Sequence, residues 1–186
     1  MALATFSAVP AAAQAVRPGG EGSDMRGFSL GVHLSGSHIQ TPGSDTRMVP
    51  AGGLGITLGY GISERIQAFV RTSSGYRNSQ LDLGARYRFG RPGQALRPYA
   101  EVAVSRIGTI RGPNTDSGSE PFNPLVRSTG YGLTAGAGVE YTISPRLGLD
   151  LGLVHTRGQL SRPPSMPELG KNVAATRIHL GVTWRP

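Results

Sequence analysis

Strict alternation of apolar with polar or small residues is the feature of this sequence that most constrains its fold. From Gly27 onward, apolar side chains recur at every second position in eight separate segments. A period of two is the period of a β-strand, whose successive side chains point to opposite faces. The apolar faces of the eight predicted strands are Phe28, Leu30, Val32 and Leu34; Leu54, Ile56, Leu58 and Tyr60; Ile66, Ala68 and Val70; Leu81, Leu83, Ala85, Tyr87 and Phe89; Ala100, Val102 and Val104; Tyr131, Leu133, Ala135, Ala137, Val139 and Tyr141; Leu147, Leu149, Leu151 and Leu153; and Ile178, Leu180, Val182 and Trp184.

The links between these strands alternate in length. In an up-and-down arrangement, alternate links lie at the same end of the sheet, so short links would collect at one end and long links at the other. That layout is typical of an outer-membrane barrel. We therefore predict an all-β fold, an eight-stranded antiparallel up-and-down transmembrane β-barrel. The predicted short links are 63–65, 90–97 and 144–146, the long ones are 41–51, 111–127 and 161–173, and one of moderate length is 73–79.

The second face of the strands indicates which side meets lipid. It is rich in Gly, Ser and Thr, and only 16% of all residues are charged. A water-soluble barrel would carry Lys, Glu and Gln there, whereas small side chains suit the narrow interior of an eight-stranded barrel. We therefore expect the apolar face to point outward into lipid, with a soluble secreted β-barrel that binds an apolar ligand as the alternative. Aromatic residues where strands reach the short links are predicted to form a periplasmic girdle: Tyr60, Tyr87, Phe89, Tyr141 and Trp184.

Residues 1–15 differ from the rest of the chain. They are uncharged and largely apolar, and they end in the small-residue pattern Ala13-Gln14-Ala15. This pattern is typical of the end of a secretory signal peptide, and the missing positive charge at its start predicts a truncated one. A disordered or short helical N-terminus is the alternative. We expect 16–26 to form a flexible lead-in and 27–186 to form the outer-membrane barrel.

Charge and residue types exclude several classes of function. The 19 Lys and Arg residues against 11 Asp and Glu give a net charge of +8, but they form neither runs nor a basic helix face. Nucleic acid is therefore not an expected partner. Without cysteine, the chain has no disulfide, no thiolate metal site and no cysteine nucleophile.

The four histidines are the remaining candidates for chemistry. His33 and His179 are predicted to face the interior, whereas His38 and His155 fall near strand ends, so a shared metal site is not expected. His33 with Ser35, or His155 alone, imitates the rim site of a barrel hydrolase, but no nucleophile elbow is present. Gly136 and Gly138 lack the rest of a dinucleotide-binding motif. We predict no catalytic residue, no metal and no cofactor, and a lipid-modifying hydrolase is kept as an alternative.

The sixth and seventh predicted strands carry a recognisable motif. Gly136, Gly138, Glu140 and Tyr141 form a G-x-G-x-E-Y strand, which is followed by a Ser-Pro-Arg turn at 144–146 and a Leu-alternating strand. This hairpin resembles the third hairpin of the small eight-stranded outer-membrane barrels of the OmpA/OmpX type. The resemblance implies a location in the outer membrane of a Gram-negative-type bacterium.

The last predicted strand is similar to the C-terminal assembly signal of the same family. It contains Gly181 and the aromatic Trp184, but it continues into Arg185 and Pro186 instead of ending at the aromatic residue. The resemblance implies that barrel-assembly machinery is a partner during biogenesis. No periplasmic peptidoglycan-binding domain is expected after the barrel.

Charged residues are predicted to have two different roles. Those on the inner face should pair and close the lumen, because an unpaired charge in a narrow interior is costly. The predicted lumen ion network is Arg86, Arg88, Glu101, Glu140, Asp150 and Arg177. The surplus positive charge, Arg97 included, is assigned to links. On the long-link side, the candidate contacts to anionic lipid and lipopolysaccharide are Arg47, Arg111, Arg127, Arg162 and Lys171.

These observations favour a small outer-membrane β-barrel with a structural or surface-interaction role. Its partners would be outer-membrane lipids, lipopolysaccharide and an unknown extracellular partner that contacts the long links. The sequence carries no evidence of an enzyme.

Overall fold

The eight predicted strands are all present. The computed structural model describes residues 25–40, 51–75, 78–111, 126–161 and 172–186. In this part of the chain, no helix is long and apolar enough to span a bilayer. The strands are β1 (Gly27–Gln40), β2 (Ala51–Gly61), β3 (Ile66–Gly75), β4 (Asn78–Arg88), β5 (Leu96–Arg111), β6 (Val126–Ser144), β7 (Leu147–Leu160) and β8 (Asn172–Trp184).

The strands form a closed barrel in which every strand pairs antiparallel with its neighbours in sequence, and β8 returns to β1. Pairing is staggered, because a circuit of directly paired residues that starts at Phe28 returns to β1 ten positions later, at His38. An eight-stranded barrel with strands tilted by roughly 40° has an interior that side chains can fill. The circuit passes through Tyr60, Ala68, Ala85, Val102, Ala135, His155 and Thr176.

The apolar face points outward, as predicted. Leu133 is 70% exposed, whereas Asp82 on the opposite face is fully buried. A water-soluble barrel shows the reverse arrangement, because its apolar side chains fill the interior. Polar and charged residues therefore form most of the core of this barrel.

Several strands are longer than predicted at the end where the long links attach. The sixth strand, for example, was predicted over 131–142 but spans Val126–Ser144. At this end the outward positions include polar residues such as Arg106, Arg157 and Gln159, so the apolar alternation disappears. The backbone ladder nevertheless continues, since Tyr131 pairs with Gln159. The alternation of apolar and polar residues therefore marks only the part of a strand whose outer face is apolar, which we call the apolar belt. It does not mark the full length of the strand.

The links at the opposite end, which we call the short-turn end, are 62–65, 89–95 and 145–146. In the tightest of them, the Leu147 amide donates to Ser144 Oγ at 3.1 Å. Gly90 and Gly93 have φ angles of 87° and 81°, a region that favours glycine. The link predicted near 73–79 is present but shorter than predicted, because β3 and β4 occupy most of this range and only residues 76–77 separate them.

Glycine at position 138 is required by a close approach inside the barrel. A Cβ atom on Gly138 would lie 2.3 Å from the Leu151 carbonyl oxygen and 2.5 Å from the buried Tyr99 side chain, which crosses the lumen. Gly52, on the barrel wall, has no atom within 4 Å of the corresponding position. The two glycines therefore form a matched pair for testing the packing of the lumen.

We expect Gly138→Ala to destabilise the barrel by about 1–3 kcal/mol, because overpacking forces Tyr99 or the backbone to move. Gly52→Ala should leave stability unchanged or raise it by about 0.4–1 kcal/mol, through the lower entropy of the unfolded chain. Urea titrations of the two variants in lipid vesicles measure the difference. Equal stabilities would show that neither Tyr99 nor the Leu151 carbonyl packs closely against Gly138.

The charged lumen as candidate functional site

The lumen is crossed by a network of ion pairs between strands that are distant in sequence. Nearest the long-link end, Asp82 on β4 lies between Arg71 and Arg177, at 3.1 Å and 2.8 Å. Ser105 Oγ donates to the same carboxylate at 2.7 Å. Arg71 also reaches Glu101 on β5, with an N–O distance of 2.6 Å. Asp82 and its partners thus join β3, β4, β5 and β8 from inside the barrel.

Arg86 occupies the middle of the network. Its guanidinium pairs with Glu101 at 2.9 Å and with Asp150 on β7 at 2.5 Å. It also lies over the Tyr99 ring, 3.7 Å from the ring centroid. Asp150 accepts a hydrogen bond from the Tyr99 hydroxyl at 3.0 Å and contacts His179 Nε2 at 2.8 Å. Every charged group at this level therefore has an oppositely charged or hydrogen-bonding partner.

The short-turn end of the lumen contains a third group of charges. Arg88 pairs with Glu140 at 2.8 Å and donates to the Gln67 side chain at 2.6 Å. Arg185, which follows the last residue of β8, pairs with the same Glu140 carboxylate. Burial and the positive charges of Arg88, Arg86 and Arg97 lower the pKa of Arg185 to about 10. Glu140 is thus shared between two guanidinium groups.

Little free space remains between these side chains. A cavity of about 20 Å³ lies beside Arg86, Arg88 and Asp150, and another of about 20 Å³ lies beside Ser73 and Arg177. A volume of this size accommodates about one water molecule. The described part of the lumen therefore resembles a packed polar core more closely than a water-filled channel.

The structure places all six residues of the predicted lumen network inside the barrel. They do not all pair with one another. Arg86, Glu101 and Asp150 form one connected unit. Arg88 and Glu140 form a separate pair, whereas Arg177 pairs with Asp82, which was not among the predicted network residues. Arg71, Tyr99 and His179 were also omitted from it. Their positions on the inner face were readable from the alternation, but their partners were not.

Arg97 corrects one prediction. It was assigned to the link at 90–97, but β5 begins at Leu96 and the Arg97 side chain is fully buried. The strand begins early because Leu96 already pairs with Tyr141 on β6, and inward orientation then follows from alternation. Arg185 is a related case, since it was expected only as a continuation past the last strand and instead enters the lumen.

The five residues of the predicted aromatic girdle lie on the outer face, towards the short-turn end, and each is exposed. The structure adds Phe28, whose ring lies 5.1 Å from that of Tyr60 in an edge-to-face arrangement. Tyr87 and Phe89 form a similar pair at 5.1 Å. Contact of these rings with the membrane interface stays a prediction.

The five residues predicted to contact anionic lipid are described only in part or not at all. Arg47, Arg162 and Lys171 lie outside the described residues. Arg111 and Arg127 have described backbones at the ends of β5 and β6, but not described side chains. Their contact with lipopolysaccharide therefore stays a prediction.

The candidate histidines do not converge. His33 and His179 face the lumen, with ring centroids 5.5 Å apart. His155 was expected near a strand end but lies within β7 on the outer wall, where its Nδ1 is 2.9 Å from Thr176 Oγ1. Among the described residues, no group of three or more His, Asp or Glu side chains is arranged to hold a metal ion.

Solved structures of small membrane barrels are similar to this one. Neisserial surface protein A is 18% identical with a TM-score of 0.61, over 86% of this chain and 97% of that chain. Ail, the attachment invasion locus protein of Yersinia pestis, is 13% identical with a TM-score of 0.56, over 86% and 99%. A second crystal structure holds Ail in complex with the heparin analogue sucrose octasulfate. The N-terminal β-barrel domain of Pseudomonas aeruginosa OprF is 16% identical with a TM-score of 0.54, over 83% and 97%.

These likenesses establish the fold. No curated protein sequence matches the chain. Residues 1–185, however, match the family described as outer membrane protein beta-barrel domain. Because this match spans almost the whole sequence, the chain belongs to the outer-membrane β-barrel domain family and lies in the outer membrane of a Gram-negative-type bacterium.

Proposed function

We propose that this protein is a non-conducting outer-membrane barrel with a structural or surface-interaction role. The packed ion network of the lumen is the observation that carries this proposal. Asp82, Glu101 and Asp150 each pair with two basic side chains across the interior. Such a network ties distant strands together, and the small cavities between its described side chains, about 20 Å³ each, support a closed lumen.

The long links are the proposed contact surface. They join β1 to β2, β5 to β6 and β7 to β8, all at the end that faces the cell exterior in barrels of this kind. Loops held by a rigid scaffold are the usual place for binding residues. Arg47, Arg111, Arg127, Arg162 and Lys171 lie in or beside these links, where guanidinium and ammonium groups would meet the phosphates of lipopolysaccharide. The binding of a sulfated sugar by Ail supports an anionic partner for this fold.

Export and assembly follow from the same proposal. Residues 1–15 would serve as the signal peptide, and the aromatic end of β8 would be the signal for the barrel-assembly machinery. The position of Trp184, exposed on the outer face at the last residue of β8, supports this role.

A non-enzymatic role is favoured over a rim-site hydrolase. His33 and Ser35 face the lumen from the same strand, and His155 lies on the outer wall, bonded to Thr176 and Arg157. His155 does lie within hydrogen-bond distance of a hydroxyl, Thr176 Oγ1, but its second ring nitrogen accepts from Arg157, where a hydrolase triad places an orienting carboxylate. Mass spectrometry of lipid A from cells with and without the protein should give identical species, and a shifted species would favour the hydrolase.

The closed lumen predicts the conductance of the protein. Purified protein inserted in planar bilayers should show no large, steady single-channel current, because the network leaves cavities of only about 20 Å³. A water-filled eight-stranded barrel is not expected when charged side chains span its interior. A stable conductance in the wild-type protein would contradict the closed lumen and favour a porin function.

The ion network also predicts the stability that Glu140 contributes. Glu140→Ala leaves Arg88 and Arg185 without their carboxylate and should destabilise the barrel by about 3–5 kcal/mol, the usual effect of breaking a buried ion pair. Glu140→Gln keeps the shape and a hydrogen-bond acceptor and should cost less. Urea titrations in vesicles measure both, and an Ala variant as stable as the wild type would show that the pair is not important.

A further prediction concerns the basic residues of the long links. Replacing Arg47, Arg111, Arg127, Arg162 and Lys171 together by Gln should weaken binding to vesicles that contain lipopolysaccharide, because charge-assisted contacts to phosphate are lost. The control variant replaces three arginines that are exposed at the short-turn end: Arg65, Arg91 and Arg146. If both variants bind as tightly as the wild type, the basic residues of the long links are simply solvated.

A further inference from the structure

The lumen contains more positive than negative charge. Near the long-link end and in the middle, three arginines pair with three acids: Arg71, Arg86 and Arg177 with Asp82, Glu101 and Asp150. At the short-turn end, three buried arginines surround one buried carboxylate. We call this group the short-turn cluster; it consists of Arg88, Arg97, Arg185 and Glu140.

Glu140 does not neutralise this cluster. Its carboxylate is already shared by Arg88 and Arg185. Arg97 instead donates from Nη2 to the backbone carbonyl of Glu64 at 2.8 Å. Glu64 adds a second, half-buried acid at this end, where its side chain accepts a hydrogen bond from the Met25 amide at 3.3 Å. Even with both acids counted, the three arginines leave a positive surplus.

Several donors in the cluster are also unpartnered. Nε and Nη1 of Arg97, together with Nη1 of Arg88, are buried and have no hydrogen-bond partner among the described residues. Arginine does not lose its proton in proteins, so the surplus cannot be removed by deprotonation. A buried donor without a partner is costly, and a buried charge without a counter-charge costs more.

We propose that the short-turn cluster binds a small inorganic anion that enters from the short-turn end of the barrel. Guanidinium groups bind chloride-sized ions through single N–H groups and bind oxyanions such as phosphate through paired N–H groups. A lipid headgroup is a poor fit, because Arg88 and Arg97 are buried inside the strand wall that separates the lumen from the bilayer.

Arg185 provides a means of entry. It follows the last residue of β8, and its backbone amide donates to the Arg146 carbonyl at 2.8 Å. Rotation of the Arg185 side chain leaves this backbone hydrogen bond intact, so the guanidinium group can move without any change in strand pairing. An anion that reaches the cluster would replace part of the contact between Arg185 and Glu140 and bring a negative charge to Arg97.

Thermal unfolding of the full chain in maltoside detergent tests the proposal. Sodium chloride, sodium phosphate and sodium gluconate are compared at equal ionic strength, since gluconate is too large for the lumen. We expect a saturable rise in Tm with chloride or phosphate relative to gluconate. The anion that acts at the lower concentration identifies the preferred ligand, and equal Tm values in all three salts would overturn the proposal.

Two variants separate this site from general salt effects. Arg97→Gln removes the surplus charge, so it should abolish the anion dependence and raise the Tm in gluconate. Arg91→Gln removes an exposed arginine at the same end and should keep the wild-type dependence. Loss of the dependence in Arg91→Gln, or its persistence in Arg97→Gln, would contradict a site in the lumen.

A direct measurement covers the case in which Arg97→Gln does not fold. Wild-type crystals soaked in sodium bromide should show an anomalous peak within hydrogen-bond distance of Arg88, Arg97 or Arg185. The absence of such a peak would count against the site.

Asp24, which precedes Met25 in the sequence, is another source of negative charge. If the anion dependence appears only in Asp24→Asn, the chain supplies its own counter-ion and the proposal is wrong.

Discussion

The closed ladder of backbone hydrogen bonds is the constraint on which the rest of this structure depends. A bilayer offers no water to satisfy backbone amides and carbonyls, so a sheet can cross it only without free edges. Pairing of β8 with β1 removes those edges. Closure also separates the two faces of every strand, one towards lipid and one towards an enclosed lumen. Apolar side chains therefore lie outside and polar or charged side chains inside, the reverse of their distribution in a water-soluble protein.

Closure with eight strands imposes a second constraint, because the interior is narrow. Large inward side chains fit only where their neighbours are small, as where Tyr99 lies against Gly138 and Gly152. The remaining space is filled by guanidinium and carboxylate groups that span the barrel. Desolvation makes each buried charge expensive, so stability depends on how completely these charges are paired. Ion pairs and hydrogen bonds between buried side chains therefore take the place that apolar packing has in the core of a water-soluble protein.

The two ends of the barrel differ in chemistry as well as in link length. At the short-turn end, tight turns and aromatic pairs such as Phe28 with Tyr60 surround a lumen with surplus arginines. At the other end, strands such as β6 and β7 extend past the apolar belt and carry polar outward residues. A rigid wall thus supports long links on one side and a basic lumen entrance on the other. These are the features on which the proposal of a non-conducting barrel with a contact surface on its long links rests.

The sequence by itself determined the number of strands, their order and the face that meets lipid. Alternation is local, so residues such as Leu149, Leu151 and Leu153 reveal their common face without knowledge of their neighbours. It could not reveal that Arg86 pairs with Asp150, or that Arg97 and Arg185 enter the lumen. Those contacts depend on the stagger of the closed sheet and on the reach of long side chains. Only the tertiary structure decides which side chains come within reach of one another, because the stagger arises when strands distant in sequence are brought into register.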